Sequence, residues 1–222
     1  MRFINKILLK IFGVRLLTSQ NGEDLIIESL IPEQKKGFYV DIGANHPIKL
    51  NNTFLFYSKG WKGINIEPNP NRLWMFKLLR RRDKTLNVGI GENKSVLPFY
   101  IFKDDTLSTF DKGVAEKYEK KGHKIKKIQD VNIVPLADIL NTYACKTEID
   151  ILSLDTEGME MTILKSNSWD IYRPKYIILE TIDYERYKSG KKTNDIYDPY
   201  MESIGYTKIA DTNINSIYIK KY

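Results

Sequence analysis

The sequence predicts an α/β fold: a doubly wound sheet, mostly parallel, closed by an antiparallel C-terminal hairpin. Three observations carry this. Short apolar runs end on acids: Phe38-Tyr39-Val40 on Asp41, Ile64-Asn65-Ile66 on Glu67, residues 149–154 on Asp155, and 176–179 on Glu180. Stretches with helical spacing separate these runs. Two alternating runs, 205–210 and 216–220, flank a polar turn at 211–215.

The elements follow in order. Residues 1–18 form an expected amphipathic helix ahead of one domain, 19–222. Ser19 or Asn21 caps a second helix whose first turn carries Glu23 and Asp24, acids that suit the helix dipole. The first strand starts at Phe38. A helix at 51–59 ends on Gly60, and 61–66 is the second strand. Residues 70–82 read as a basic helix with Leu73, Phe76 and Leu79 inward, and 84–90 as the third strand. Residues 95–102 alternate and read as an added strand, before a polar loop at 104–110. Residues 114–127 are lysine-rich and read as an exposed helix or lid. Only Tyr118 supplies a stacking ring there, which disfavours a nucleic-acid patch. A strand at 131–134 and a helix at 135–143 lead to the buried strand 149–154 and a helix opened by 156–160.

Composition sets outer bounds. The 222 residues are 42% hydrophobic and 28% charged, enough apolar content for a folded core. One cysteine excludes an internal disulfide and a cysteine-rich metal site, and with only two histidines a zinc site built from His and Cys alone is not expected. The net charge of +7 is compatible with nucleic acid, an anionic membrane or an acidic substrate, and selects none. The first 17 residues are apolar but broken by Arg2, Lys6, Lys10 and Arg15, so they do not read as a spanning helix. No signal-cleavage pattern follows them. Ile4, Ile7, Leu8 and Ile11 are expected to dock on the domain or on a partner subunit, with peripheral membrane contact as the alternative. The expected location is cytoplasmic or membrane-peripheral.

The chemistry concentrates between Gly37 and Pro70. Asp41 and Glu67 are read as acids at neighbouring strand tips, where open parallel sheets bind ligands. Gly43 leaves the backbone open to close approach. Glu67 follows this turn at the spacing that lets an acid reach ribose hydroxyls. Asn45 and Ile48 stand where a dinucleotide fingerprint needs glycines, which argues against a pyrophosphate. The expectation is a nucleoside cofactor without phosphate, S-adenosylmethionine.

VDIGANHP, Asn52-Thr53, GWKGINIEPNP, and IDILSLDTEGME followed by ILET together resemble the FkbM family of methyltransferases. SQNGEDLII is similar to that family's N-terminal motif, and the likeness runs over 19–184. The resemblance implies a class I methyltransferase, Rossmann-like sheet of seven strands. It implies O-methylation, commonly of sugars or other secondary metabolites. It places Asp41, Gly43, Ala44 and Asn45 around the methionine and ribose, with Glu67 on the ribose hydroxyls. Pro68 and Asn69 fall near the adenine, bordered by Asn87, Val88, Gly89 and Ser108.

A hydroxyl acceptor calls for a positioned base. Asp155 and Glu157, at a strand end and helix start, are the leading catalytic residues, with Glu180 orienting the acceptor or sharing the role. The plainer alternative makes Glu157 a helix-start carboxylate and leaves Glu160 solvated. Asp155, Glu180 and Asp183 also form an oxygen set for a hard cation, but the sequence assigns no metal. The expected acceptor is a small molecule or glycan: a hydroxyl of a surface-polysaccharide or glycolipid precursor. Nucleic acid is the disfavoured alternative. Asp198-Pro199-Tyr200 resembles an amino-methylating motif but is read as part of a late loop, and Cys145 precedes a strand where a cytosine nucleophile would follow one. A non-catalytic cofactor-binding subunit is the third reading.

Overall fold

The computed structural model describes residues 17–31, 34–182 and 194–221. In the first half the elements run α1 (Glu23–Leu30), β1 (Phe38–Ile42), α2 (Phe54–Ser58), β2 (Lys62–Ile66), a 3-10 turn (Pro70–Arg72), α3 (Leu73–Leu79), β3 (Lys84–Leu86), β4 (Gly89–Ile90) and β5 (Ser95–Phe102). There follow a 3-10 turn (Asp105–Leu107), α4 (Lys112–Lys120), β6 (Ile125–Val134), α5 (Leu136–Tyr143), β7 (Ile151–Leu154), α6 (Glu160–Lys165), β8 (Tyr176–Glu180), α7 (Asn194–Ser203), β9 (Tyr206–Asp211) and β10 (Asn215–Lys220).

Among the described residues seven strands form one sheet in the order β3-β2-β1-β7-β8-β10-β9. The first five are parallel, and β10 pairs antiparallel with both β8 and β9. This is the class I methyltransferase fold. Strand side chains alternate between faces, and two cores result. Val40, Ile42, Ile64, Ile66, Leu152 and Leu154 pack on one face with α5, α6 and α7. Tyr39, Ile151, Ile178 and Ile217 pack on the other with Ile27 of α1, Phe56 of α2 and Trp61.

Register explains the acids. Ile42 pairs with Ile66 and with Leu154, and Leu154 pairs with Leu179. Gly43, Glu67, Asp155 and Glu180 therefore stand at one level across four adjacent strands. Asp41 lies two residues lower, opposite Asn65 and Ser153.

Several elements differ from expectation. The stretch 84–90 is not one strand: β3 joins the main sheet, while β4 pairs with β6 in a separate three-stranded sheet, β4-β6-β5. β6 also reaches back to Ile125, so the lysine-rich stretch is α4 plus the start of a strand. The helix expected over 70–82 ends at Leu79, which is exposed, and Arg80 is buried in its place. α1 starts from Gly22 at φ 90 with no side-chain cap. Its acids instead tie distant segments together. Asp24 accepts from the Thr18 and Ser19 hydroxyls, and Glu23 from Thr212 and Asn215 in the closing hairpin. Asp198-Pro199-Tyr200 lies inside α7, not in a loop. The helix expected at 1–18 falls, save for its last two residues, outside the described residues. Among those described, no helix is long and apolar enough to cross a membrane.

Candidate active site

A cavity of about 520 Å³ opens over the carboxyl ends of β1, β2, β7 and β8. Gly43, Glu67, Asp155 and Glu180 form its floor, and Pro68, Val88 and Gly89 one wall. The three-stranded sheet with α4 roofs it through Phe99, Ser108, Phe110 and Tyr118. The insertion between β4 and β6 thus turns an open sheet edge into a pocket of ordinary small-molecule size.

Gly43 has φ 78, and a Cβ there would meet the Asp155 carbonyl oxygen at 1.7 Å. The glycine is required by the neighbouring strand end, not by a ligand alone. Its N–H and that of Ala44 donate to the Ile66 carbonyl, which locks the turn to β2. Glu67 is buried, and its two oxygens accept from the backbone N–H groups of Asn45 (2.7 Å) and Asn69 (2.6 Å). Burial is the main cause that lifts its pKa to about 7, against those hydrogen bonds. Asn45, at φ 44, also donates to the Asp105 carbonyl, and Arg72 forms an ion pair with Asp105. Both contacts fasten the roof to the floor.

Asp155, Glu157 and Glu180 bring carboxylate oxygens within 4.8 Å of one another. Desolvation first, and then repulsion from nearby carboxylates, raise Asp155 and Glu157 to about 7, while hydrogen bonds from Glu180 and Tyr118 respectively act the other way. Glu180 is buried and raised well above its ordinary value, again chiefly by desolvation, and it hydrogen-bonds Asp155. Near neutral pH the cluster therefore retains protons that exposed carboxyls would have lost. Its all-oxygen donors also form the set a hard divalent cation takes. Glu157 completes that set where Asp183, which lies outside the described residues, was expected.

Glu157 sits at φ 54, followed by Gly158 at φ 105. Two left-handed residues in succession swing its side chain toward the roof, where the Tyr118 hydroxyl donates to Oε2 at 2.7 Å and Thr109 Oγ1 donates to its carbonyl at 3.0 Å. The helix-start carboxylate is Glu160, not Glu157. Glu160 is buried and accepts from the Thr156 N–H and hydroxyl and from the Gly158 N–H.

Of the expected site residues, Gly43, Asn45, Glu67, Pro68, Val88, Gly89, Ser108, Asp155, Glu157 and Glu180 line the cavity. Asp41, Ala44, Asn69 and Asn87 do not. Asp41 turns to the opposite face of the sheet and accepts from Asn51 and Thr53 at 2.9 and 2.8 Å. Arg80 organises that buried cluster, donating to Asp83, Pro47, Asn51, Tyr39, Thr53 and Asn65. Ala44 offers its carbonyl to Asn51, and Asn69 caps the next turn at Asn71. Asn87 pins the wall by donating to the Glu67 and Pro68 carbonyls, both at 2.8 Å. Sequence reasoning missed Gln20, His46, Arg72 and the cavity-facing role of Tyr118. Gln20 stands within the SQNGED stretch, whose function no spacing rule reads.

A family model of the methyltransferase FkbM domain matches residues 41–208, most of the chain. The chain belongs to the FkbM methyltransferase family. It is an S-adenosylmethionine-dependent methyltransferase. A search of curated proteins finds no match. Among solved structures the FkbM chain is similar to the METTL16 methyltransferase domain at 13% identity and TM-score 0.50, covering 99% of this chain and 78% of that one. It is also similar to a precorrin-6y C5,15-methyltransferase from Geobacter metallireducens GS-15 at 12% identity and TM-score 0.45, covering 93% and 90%. At such identity the METTL16 likeness speaks to the fold of this FkbM protein alone.

Proposed function

We propose that this methyltransferase acts on a hydroxyl of a carbohydrate, a surface-polysaccharide or glycolipid precursor, with Glu157 as the base. The observation that carries the reading is the Asp155–Glu157–Glu180 cluster in the cavity, with Asp155 and Glu157 raised to about 7 by burial. A base near the working pH is the efficient choice for a hydroxyl, whose own proton is held tightly.

The residues present suit the cofactor. Glu67 spends one lone pair of each oxygen on a backbone N–H, and the remaining ones are available to ribose hydroxyls. Pro68, Val88, Gly89 and Ser108 flank the adenine in this reading, and Gly43 and Asn45 the methionine end. When bound, S-adenosylmethionine supplies an activated methyl on a sulfonium that departs as a neutral thioether.

The protein's share is alignment, exclusion of water and one proton. Tyr118 holds Glu157 by Oε2, so Oε1 takes the acceptor's proton. Glu180, protonated, donates to Asp155, and that pair orients the acceptor hydroxyl. Phe99 and Phe110, whose ring centroids lie 4.6 Å apart, give the roof an apolar surface for a sugar ring to lie against. The family resemblance supports the carbohydrate class.

The test is a labelled-methyl assay on glycan and glycolipid extracts of the host, with RNA and DNA in parallel because the charge of +7 also suits them. Label in glycan or glycolipid is expected. Label in nucleic acid alone overturns the acceptor class.

A further inference from the structure

We propose that the exposed face of α3 docks the enzyme on an anionic lipid surface. The helix buries Phe76 and is followed by buried Arg80, which fixes its inward side. The outward side carries Trp74, 63% exposed, and Leu78, 52% exposed, one helical turn apart. Exposed Lys77 stands three residues from Trp74 on α3, and exposed Arg81, just past the helix end, donates to the Leu78 carbonyl at 3.2 Å. A water-facing helix gains nothing from an exposed indole and leucine side by side. An indole and a branched aliphatic set among cations are what the boundary between headgroups and acyl chains accepts, apolar groups inward and cations on the phosphates.

Charge selects the occupant. A second copy meeting this face by two-fold symmetry would bring two patches carrying Lys77 and Arg81 into one interface, in a chain already at +7. An anionic bilayer offers the complementary sign. The face also adjoins the site. Arg72, in the turn that leads into α3, lines the cavity, as does Leu50, itself 59% exposed. Docking here sets the cavity mouth beside the lipid, which suits an acceptor carried on a lipid anchor. That last link rests on the carbohydrate reading above; the docking does not.

The full chain, without cofactor or acceptor, is sedimented with vesicles of phosphatidylcholine alone or mixed with phosphatidylglycerol. The wild type is expected to partition onto the mixed vesicles and to be released by salt. Trp74→Ala/Leu78→Ala and Lys77→Glu/Arg81→Glu each lower partition by about tenfold or more, while binding of S-adenosylhomocysteine, the check on folding, stays unchanged. The proposal is overturned if the wild type ignores both vesicles. It is equally overturned if both double variants partition like the wild type, which would put the contact elsewhere, as on residues 1–16. A dimer that Trp74→Ala/Leu78→Ala dissociates in light scattering would overturn it in favour of a second copy.

Discussion

The Tyr118 hydroxyl, carried on the inserted α4, donates a 2.7 Å hydrogen bond to Glu157 Oε2 at the end of β7. The bond favours the charged carboxylate, against the burial that lifts Glu157 to about 7. Tyr118→Phe should therefore raise the Glu157 pKa further and move the acid limb of kcat upward by about one pH unit. Activity should recover at high pH. A loss of rate that is equal at every pH would show that Tyr118 serves only the roof.

Glu157→Gln keeps the shape and removes the basicity. Turnover should fall on the order of 10²–10⁴-fold, with S-adenosylhomocysteine affinity within a few-fold by calorimetry. Asp155→Asn breaks the pair with Glu180 and should cost turnover as well. If Asp155→Asn is the deeper loss and Glu157→Gln is mild, the base is Asp155.

Glu67→Ala removes two anchors of the turn and the proposed acceptor of the ribose hydroxyls. Cofactor affinity should drop by about tenfold or more, from a charged hydrogen bond on the order of 1.5–3 kcal/mol. Unchanged affinity in calorimetry would remove the ribose assignment.

The raised carboxyls bear on stability. Folded Glu67, Asp155 and Glu157 keep their protons to about pH 7, whereas the unfolded chain releases them near 4. Their contribution is full below pH 4 and is lost as pH rises through 7. For buried Glu67 alone that loss is on the order of 3 kcal/mol. Asp155→Asn lacks its share, so its urea stability relative to wild type should improve between pH 5 and pH 8. A difference that stays flat over that range would sink the assignment.

Arg80 has no exposed side-chain surface and is paired with Asp83, which has none either. Arg80→Ala leaves Asp83 and Asp41 buried without their cation, a loss of about 3–5 kcal/mol in urea unfolding. Unfolding within about 1 kcal/mol of wild type would mean that water enters and solvates the cluster.

The strands and their order of use are legible in the sequence because an apolar run that ends on an acid has a single physical reading in a parallel sheet. Ile66 followed by Glu67, Leu154 by Asp155, and Leu179 by Glu180 each mark a strand leaving the core for a ligand-facing edge. The helix inside 194–203 is not legible, since Pro199 reads as a breaker and Asp198-Pro199-Tyr200 as a turn. The split of 84–90 is hidden too, because Leu86 and Ile90 are equally apolar and only their partners, Ile66 and Val134, tell the two sheets apart.

By itself the sequence determined the class of fold, the four acids near strand ends and the kind of cofactor, because these depend on local period and spacing. Tertiary structure alone decided which acids meet. Asp41 resembles Glu67 in sequence, but pairing Ile42 with Ile66 sets it two residues lower, on the face that holds Arg80. Tyr118 lies 39 residues from Glu157, in a lysine-rich helix that looks like plain surface. Strand register and the folding-over of an inserted sheet are relations between distant segments, and no local pattern encodes them.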